Sequence, residues 1–402
     1  MPRKQKRESR SQRRDALLRD AARVAIPERV DVCVVGGGAA GLVAGIAAAE
    51  KGARVVVLER DLECGRTILA TGNGRCNFAN RQLDPTRYND PAFVAAVCGP
   101  TWLDDVLEFF RSCGLAWAEE GEGRLYPLSR QAASVRNVLL ERARRAGVVL
   151  APAREVWDVR HVVGDFMVRY TERFGQERQD ALGVRGVIVS TGGGAQHAAA
   201  NVGLFAGDTQ PILCPLVCVG MDLSALDGRR VHARLSLERA ERVVATENGE
   251  VLFRDYGISG IAAFNLSRHA QAGDELVLDL LPGLDAQTTA TLAANTLDGL
   301  LDPVIAAFLL SECKSTAQAV ARAKALRLTV SGPAETERAQ VTRGGYATSA
   351  FDPTTLEAYG MPRLFACGEA LDIDGPCGGF NLAWAWKSGM VAGATAGTVC
   401  RA

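Results

Sequence analysis

At 402 residues, 48% of them hydrophobic and 23% charged, the chain is long enough for two or three structural units and too apolar for a disordered protein. Its 42 glycines fit an α/β protein rich in turns, its formal net charge is zero, and no apolar run approaches the roughly 18 residues of a membrane span. A cytoplasmic protein with no membrane partner is therefore expected. Eleven cysteines, an odd number spaced without CxxC pairs, read as reduced thiols and give no metal site. Cys214 and Cys218, with Pro215 between them, read as small buried hydrophobes.

Charge is segregated at the start of the chain. The first 23 residues hold nine Lys/Arg against three acids, which leaves the remainder at a net charge of minus six. This arm, residues 1–28, lacks the apolar stretch of a secretory leader. It is expected to be a solvated basic tail or an over-extended gene start rather than a nucleic-acid arm.

The first strand is predicted over residues 30–35 (VDVCVV), followed at once by Gly36, Gly38 and Gly41 and an Ala-rich helix, from Ala39 and Ala40 through Glu50. Gly36 permits the tight turn, Gly38 lets the backbone approach a pyrophosphate, and Gly41 with Gly45 lets the helix pack on the sheet. The free amides of the helix start would receive the diphosphate. A second strand (RVVVLE, 54–59) ends in Glu59, 18 residues beyond Gly41, where a carboxylate can accept both hydroxyls of an adenosine ribose. That acid would repel a 2′-phosphate, so the unit points to FAD or NAD over NADP, and the adjacent Arg60 does not change this.

After Arg66 and a short helical patch the chain enters an irregular segment, residues 71–80 (TGNGRCNFAN). Asn73, Arg75 and Asn77 offer donors, and Gly72 and Gly74 remove bulk beside Thr71 and Cys76. The segment suits contact with a diphosphate and a flat polar ring, and it equally suits an Asn/Gly turn with incidental donors.

At this point the chain resembles a known group, the BaiN/RdsA-like bacterial flavoproteins, which include bile-acid reductases and enzymes described as aminoacetone oxidases. The residues that carry the resemblance are GGGAAG (36–41), GRTILATGNGRCN (65–77), GEGRLYPLSRQAASV (121–135), GEVLF and YGISG (249–260), AQVTRGGY (339–346) and LFACGEALDIDGPCGGFNLAWAWKSGMVAG (364–393). The resemblance implies a glutathione-reductase-like, Rossmann-type FAD domain formed by residues 29–194 and 335–402, interrupted by an inserted α+β substrate domain over 195–334. It also implies that Glu369, after the strand 364–366 and Gly368, bonds the ribityl chain. Gly378, Gly379, Phe380 and Asn381 would open a helix aimed at the flavin pyrimidine, whose negative charge on reduction a helix start favours. Thr191 and Gly192, closing the strand 184–194, would mark the exit from the FAD domain. Val156 would meet the adenine through its backbone, although a core-strand role explains it equally.

Within the insert, strands are expected over 214–222, 231–238, 250–254 and 275–280 and a helix over 286–326, with the substrate pocket at the domain junction. The segment AQHAAANVGLFAGD after Gly194 is shorter than the family pattern, Asp255 stands where the family usually has His, and Ile261 stands where Pro is usual. Asp255, Tyr256, Tyr126 and Arg343 remain as candidates for substrate polarisation, each with a structural role as its alternative. The four histidines, His161, His197, His232 and His269, lie outside the flavin motifs, and Cys76 and Cys377 read as packed thiols rather than a redox pair. The resulting expectation is an oxidoreductase in which FAD takes hydride from a transient NADH or NADPH and passes it to a small organic substrate such as an activated C=C bond. The alternatives are a flavin oxidase of a small amine or alcohol that uses dioxygen, and a flavin-binding redox or RNA-associated protein. A monomer or homodimer is expected.

Overall fold

A computed structural model of the chain describes residues 9–194, 199, 201–293 and 296–401. These form two compact units, Met1–Gln210 with Thr342–Ala402, and Pro211–Val341. The crossings lie later in the chain than the 194/195 and 334/335 boundaries expected from sequence. Among the described residues no single helix is long and apolar enough to cross a membrane.

The basic arm, where it is described, is largely solvent-exposed but helical: residues Arg10–Ala22 form α1, started by a reciprocal capping box between Ser9 and Gln12. Buried Arg154 holds the other end, donating to the carbonyls of Val24 at 2.7 Å and Ala21 at 3.5 Å. Cationic donors suit the carbonyl end of a helix.

β1 (Val30–Val35) is buried along its whole length, as a central parallel strand must be. It pairs in parallel with β2 (Val55–Leu58), and α2 (Ala39–Glu50) joins the two. The chain then forms β3 (Ala79–Asn80), α3 (Pro91–Cys98), α4 (Trp102–Ser112), β4 (Trp117–Glu120) and β5 (Arg124–Pro127), with the three short strands in a sheet ordered β3-β5-β4. Next come α5 (Ala132–Arg145), β6 (Val149–Ala151), β7 (Arg154–Val162), β8 (Asp165–Glu172) and β9 (Arg178–Val189). The main sheet runs β6-β2-β1-β9-β8-β7. β9 joins its two halves: residues 178–184 pair antiparallel with β8, and residues 184–189 pair parallel with β1. One strand thus binds an antiparallel meander to a Rossmann-type parallel sheet.

The chain leaves this unit along β10 (Gln210–Ile212). The second unit contains β11 (Leu216–Val219), β12 (Arg230–Arg239), β13 (Arg242–Arg254), β14 (Gly257–Ser259), α6 (Ile261–Ser267), β15 (Glu275–Asp279), α7 (Ala286–Leu292), α8 (Pro303–Ser311), α9 (Thr316–Lys324) and β16 (Leu326–Pro333). Six strands close into a barrel, β11-β14-β13-β12-β15-β16. Every second residue points inward, so Leu235, Leu237, Leu276, Leu278, Leu326 and Leu328 fill it. The glycines of YGISG serve this closure: a Cβ at Gly257 would lie 2.2 Å from the Leu216 carbonyl oxygen, and one at Gly260 would lie 2.4 Å from that of Glu250. The single helix expected over 286–326 is instead three. α7 stops at Leu292, Asp302 caps α8 with Pro303 in its first turn, and Ser315 caps α9 three residues after the Glu312 C-cap of α8, so the chain restarts a helix at each cap instead of running one through.

β17 (Val341–Arg343) returns the chain to the first unit, where β18 (Leu364–Ala366) adds in parallel to β9 and α10 (Phe380–Val399) closes the fold. α10 lies directly on α2. Cβ atoms at Gly389, Gly393 and Gly397 would stand 2.6, 2.2 and 2.5 Å from the carbonyl oxygens of Ala40, Ala44 and Ala48. Only a stripe of glycine every fourth residue permits backbones this close.

Candidate functional site

The β1–α2 turn separates glycines that the protein crowds from one that it does not. Gly36 needs its φ of +102°, and a Cβ there would lie 2.5 Å from the Ser190 carbonyl oxygen. A Cβ at Gly41 would meet the Gly36 oxygen at 1.9 Å, so Gly41 closes the turn, while one at Gly45 would stand 3.0 Å from Val57 Cγ2 of β2. At Gly38 the nearest atom is Thr67 Oγ1 at 3.6 Å, and no protein atom requires the missing side chain. Gly38 caps α2 without a side-chain bond, and the first turn holds no acid, so the amides beginning at Ala39 and Ala40 face that room with their partial positive charge.

Glu59 follows β2. Its Oε2 accepts the Gly37 N–H at 2.7 Å and its Oε1 accepts that of Asp61 at 2.8 Å. Burial raises its pKa above the ordinary carboxylate value against these bonds, which favour the anion. Arg60 is exposed, and Arg66 pairs with Asp61 at 3.2 Å. Ser190, unremarked in the sequence, anchors the turn by donating to the Val35 and Gly36 carbonyls at 3.0 and 2.8 Å. Thr191 follows it with a buried Oγ1 that has no hydrogen-bond partner. Val156 lies in the core, in register with Tyr170 across β7 and β8. The backbone bonds to the Glu59–Asp61 stretch come from Ala153 and Arg154 instead.

The segment from Thr71 to Asn77 folds back on itself. Gly72 and Asn73 are both left-handed, Thr71 Oγ1 bonds the Ile68 carbonyl, Gly74 takes positive φ, and the Cys76 N–H bonds the Thr71 carbonyl. Arg75 points its guanidinium at Glu120 and over the Tyr126 ring. The Cys76 thiol is fully buried, and desolvation pushes it up to about 12, so it is unreactive. Asn77 is buried with Oδ1 unpartnered, and a Cβ on Gly379 would come within 2.9 Å of that oxygen. Residues 77 and 379, from opposite ends of the chain, meet there.

The C-terminal half supplies the rest. Gly368 sits against Ala40, where a Cβ would stand 2.7 Å from the alanine methyl, and Ser388 and Trp384 bond its N–H and carbonyl. Glu369 is thereby turned toward Gly192, whose added Cβ would lie 3.9 Å from Oε2, and it accepts the Gly193 N–H. It keeps intermediate solvent exposure, yet the surrounding protein desolvates it enough to push the carboxyl up to about 7. Gly378 and Gly379 turn the chain into α10, which starts without a side-chain cap or an acid in its first turn. Phe380 is buried under Arg87 and Tyr88. Asn381 lies in the first turn of α10, and its amide clamps the loop before it, accepting the Gly375 N–H at 2.8 Å and donating to the Gly375 and Pro376 carbonyls. Asn80, absent from the sequence-based candidates, donates to the Gly378 carbonyl at 2.8 Å.

The four polarisation candidates fall in different places. Tyr126 is buried beside Gly72, and Arg343 makes a two-pronged bond, 2.7 and 2.8 Å, to fully buried Asp374. Asp255 and Tyr256 belong to the second unit, where the Tyr256 hydroxyl donates to Glu335 at 2.7 Å. Burial, then that carboxylate, pushes this phenol up to about 12. His161 packs edge-on against Phe166, and His197 lies outside the described residues, as do parts of the segment after Gly194.

Comparison with known proteins decides the relationship. The HI0933-like protein Rossmann domain matches residues 30–395. The chain belongs to this family. The family is one of FAD-dependent oxidoreductases, and class and cofactor follow from membership. The chain is 32% identical over 410 residues to the 3-dehydro-bile acid delta(4,6)-reductase of Clostridium scindens, covering 90% of this chain and 98% of the relative. It is 26% identical over 396 residues to the ribosomal RNA dihydrouridine synthase of Escherichia coli, covering 90% and 96%. Among solved structures, a flavocytochrome c3 fumarate reductase in its open conformation superposes with a TM-score of 0.50 at 16% identity, over 94% of this chain and 80% of that one. This last likeness is one of fold alone.

The geometry of these residues fits a flavin dinucleotide. Two long helices, α2 and α10, begin without a side-chain cap, no protein atom crowds Gly38, and buried Thr191 Oγ1 and Asn77 Oδ1 lack partners in the loops beside these two helix starts.

Proposed function

We propose that the protein is an FAD-dependent reductase that adds hydrogen across a polarised C=C bond of a small organic substrate, with NADH or NADPH as hydride donor. One observation carries the cofactor part: the unsatisfied polar atoms and uncapped helix starts of the first unit come from both ends of the chain, as a long dinucleotide requires. The choice of a C=C bond is supported by relatives named for reduction of a bile acid at delta(4,6) and for making dihydrouridine, each a saturation of a ring double bond.

FAD, when bound, supplies hydride transfer, which side chains cannot. The chain's own residues bind, orient and tune. The α2 amides after Gly38 would take the diphosphate, and Glu59 would accept the adenosine ribose hydroxyls with the lone pairs its two backbone bonds leave over. Glu369 would accept from the ribityl chain, and the amides at the start of α10 would face the pyrimidine edge, where a helix start favours negative charge. Asn381 and Asn80 act indirectly by fixing the Gly375–Gly379 loop.

The test is anaerobic mixing of the purified yellow protein with NADH and with NADPH. Bleaching of the flavin by either is expected. No bleaching, with peroxide released on adding an amine or alcohol donor in air, would replace the reductase by an oxidase. Release of FMN alone, or of no chromophore, on denaturation would overturn the cofactor assignment.

A further inference from the structure

One cluster of the first unit is left over once the cofactor residues are assigned. Arg75 lays its guanidinium over the Tyr126 ring, 4.4 Å from the centroid, and Arg130 approaches the same ring at 5.9 Å. Both cations converge on one carboxylate oxygen: Arg75 Nη2 bonds Glu120 Oε1, and Arg130 Nε lies 3.0 Å from the same atom. Two guanidiniums against one carboxylate leave a positive charge in excess. Stacking on an aromatic face uses the plane of a guanidinium and leaves N–H groups along its edge to meet an oxyanion. Arg130 Nη1 is in fact buried without a hydrogen-bond partner, a costly state for a charged donor unless something else receives it. Just after Arg130, α5 begins at Ala132, with Gln131 as an N-cap that makes no side-chain bond and no acid in its first turn, so the field of that helix start has the same sign.

The cluster is also well placed. Tyr126 Cε1 would be 3.6 Å from a Cβ on Gly72, the Asn77 amide nitrogen would be 2.8 Å from it, and Asn77 Oδ1 adjoins Gly379 at the start of α10. We propose that Arg75 and Arg130, levelled by Tyr126 and tempered by Glu120, form a clamp for an oxyanion, the carboxylate or phosphate group of the organic substrate. The role as a substrate clamp rests on the reductase reading, whereas the anion affinity does not depend on it. In this assignment the GRLYPLSR stretch sets substrate class: acids and phosphate esters are taken and neutral analogues are refused.

The experiment is calorimetric titration of the full-length protein with inorganic phosphate and with benzoate. Wild type is expected to bind at least one of them, and the Arg75→Gln/Arg130→Gln double variant to bind it about tenfold more weakly, the loss of a charge-assisted bond. Glu120→Gln separates a clamp from a merely structural triad: removing the competing carboxylate should tighten the anion several-fold, whereas a structural role predicts no gain. Absence of binding to wild type, equal affinity in the double variant, or weaker binding in Glu120→Gln would each overturn the proposal. Anaerobic reduction by NADH and NADPH identifies the source of the anion. Unchanged rates with both in the double variant fit a substrate group, and selective loss with NADPH would reassign the clamp to the nucleotide phosphate and overturn the substrate role. Failure of both nucleotides to reduce wild-type flavin would remove the reductase reading and leave the measured anion affinities standing.

Discussion

Glu369→Gln should make the protein more stable, and increasingly so as pH rises. The carboxyl is pushed from its ordinary 4.5 to about 7, chiefly by desolvation, with the Gly193 N–H pulling the other way and Asp374 adding a repulsive charge. A folded chain that holds a proton more tightly than the unfolded one has that stabilisation in full below the unfolded pKa and loses it as pH climbs through the folded value. Wild type should therefore lose stability between about pH 5 and pH 8.5, by about 2 kcal/mol from this group alone. Gln has no proton to lose, and its side-chain oxygen can still accept the Gly193 N–H. The assay is urea denaturation of flavin-stripped protein at the two pH values, followed by tryptophan fluorescence. All five tryptophans, Trp102, Trp117, Trp157, Trp384 and Trp386, belong to the first unit, so the signal reports the unit that holds Glu369. The advantage of the variant should grow with pH, and it should shrink on reconstitution with FAD, because a hydroxyl donor satisfies the anion that the empty protein leaves poorly solvated. A difference between variant and wild type that is the same at both pH values would refute the reasoning.

Gly393→Ala places a methyl 2.2 Å from the Ala44 carbonyl oxygen and 2.8 Å from its Cα, where no flexible side chain can yield. The helices must part, so thermal melts should show a loss of about 1–3 kcal/mol together with faster flavin release on dilution. Glu59→Ala should leave the circular dichroism spectrum intact while weakening FAD binding to the stripped protein by at least about tenfold, measured by fluorescence quenching. Arg154→Met keeps the aliphatic bulk over Phe174 but removes the donors to Ala21 and Val24, so limited proteolysis should cut between α1 and β1 far faster than in wild type.

The sequence shows the parts of this site that depend on near neighbours. A buried β-branched run, three glycines in a fixed spacing and an acid at the end of the next strand are local signals, and β1, α2, β2 and Glu59 lie where those signals put them. Other parts depend on partners far along the chain. Arg343 looks like a free cation until Asp374, 31 residues on, meets it. The arm read as solvated because its charges show no apolar stripe. Its anchors are one buried alanine, Ala21, and an arginine more than a hundred residues away, neither of which makes a periodic pattern. The barrel escaped for a similar reason: its closing strand β14 is three residues long and owes its place to Gly257 and Gly260 rather than to hydrophobic alternation.

The glycine stripe of α10 ties cofactor binding to folding in one set of contacts. The Ala40 carbonyl, which a Cβ at Gly389 would strike at 2.6 Å, belongs to the first turn of α2, and the Ala40 methyl is the neighbour that leaves Gly368 no room for a side chain. The same few ångströms therefore fix the α2 amides, the bend that aims Glu369 and the axis of α10, whose own start adjoins Asn77. None of these groups can shift without moving the others, since each contact is backbone against backbone or methyl. The two helix starts that favour negative charge are thus held in register by packing, before any ligand arrives, and binding need not bear the cost of assembling them. It follows that loss of residues 364–399 would uncover α2 and strip β18 from β9, so the glycine-rich turn would lose the packing that makes it a flavin site.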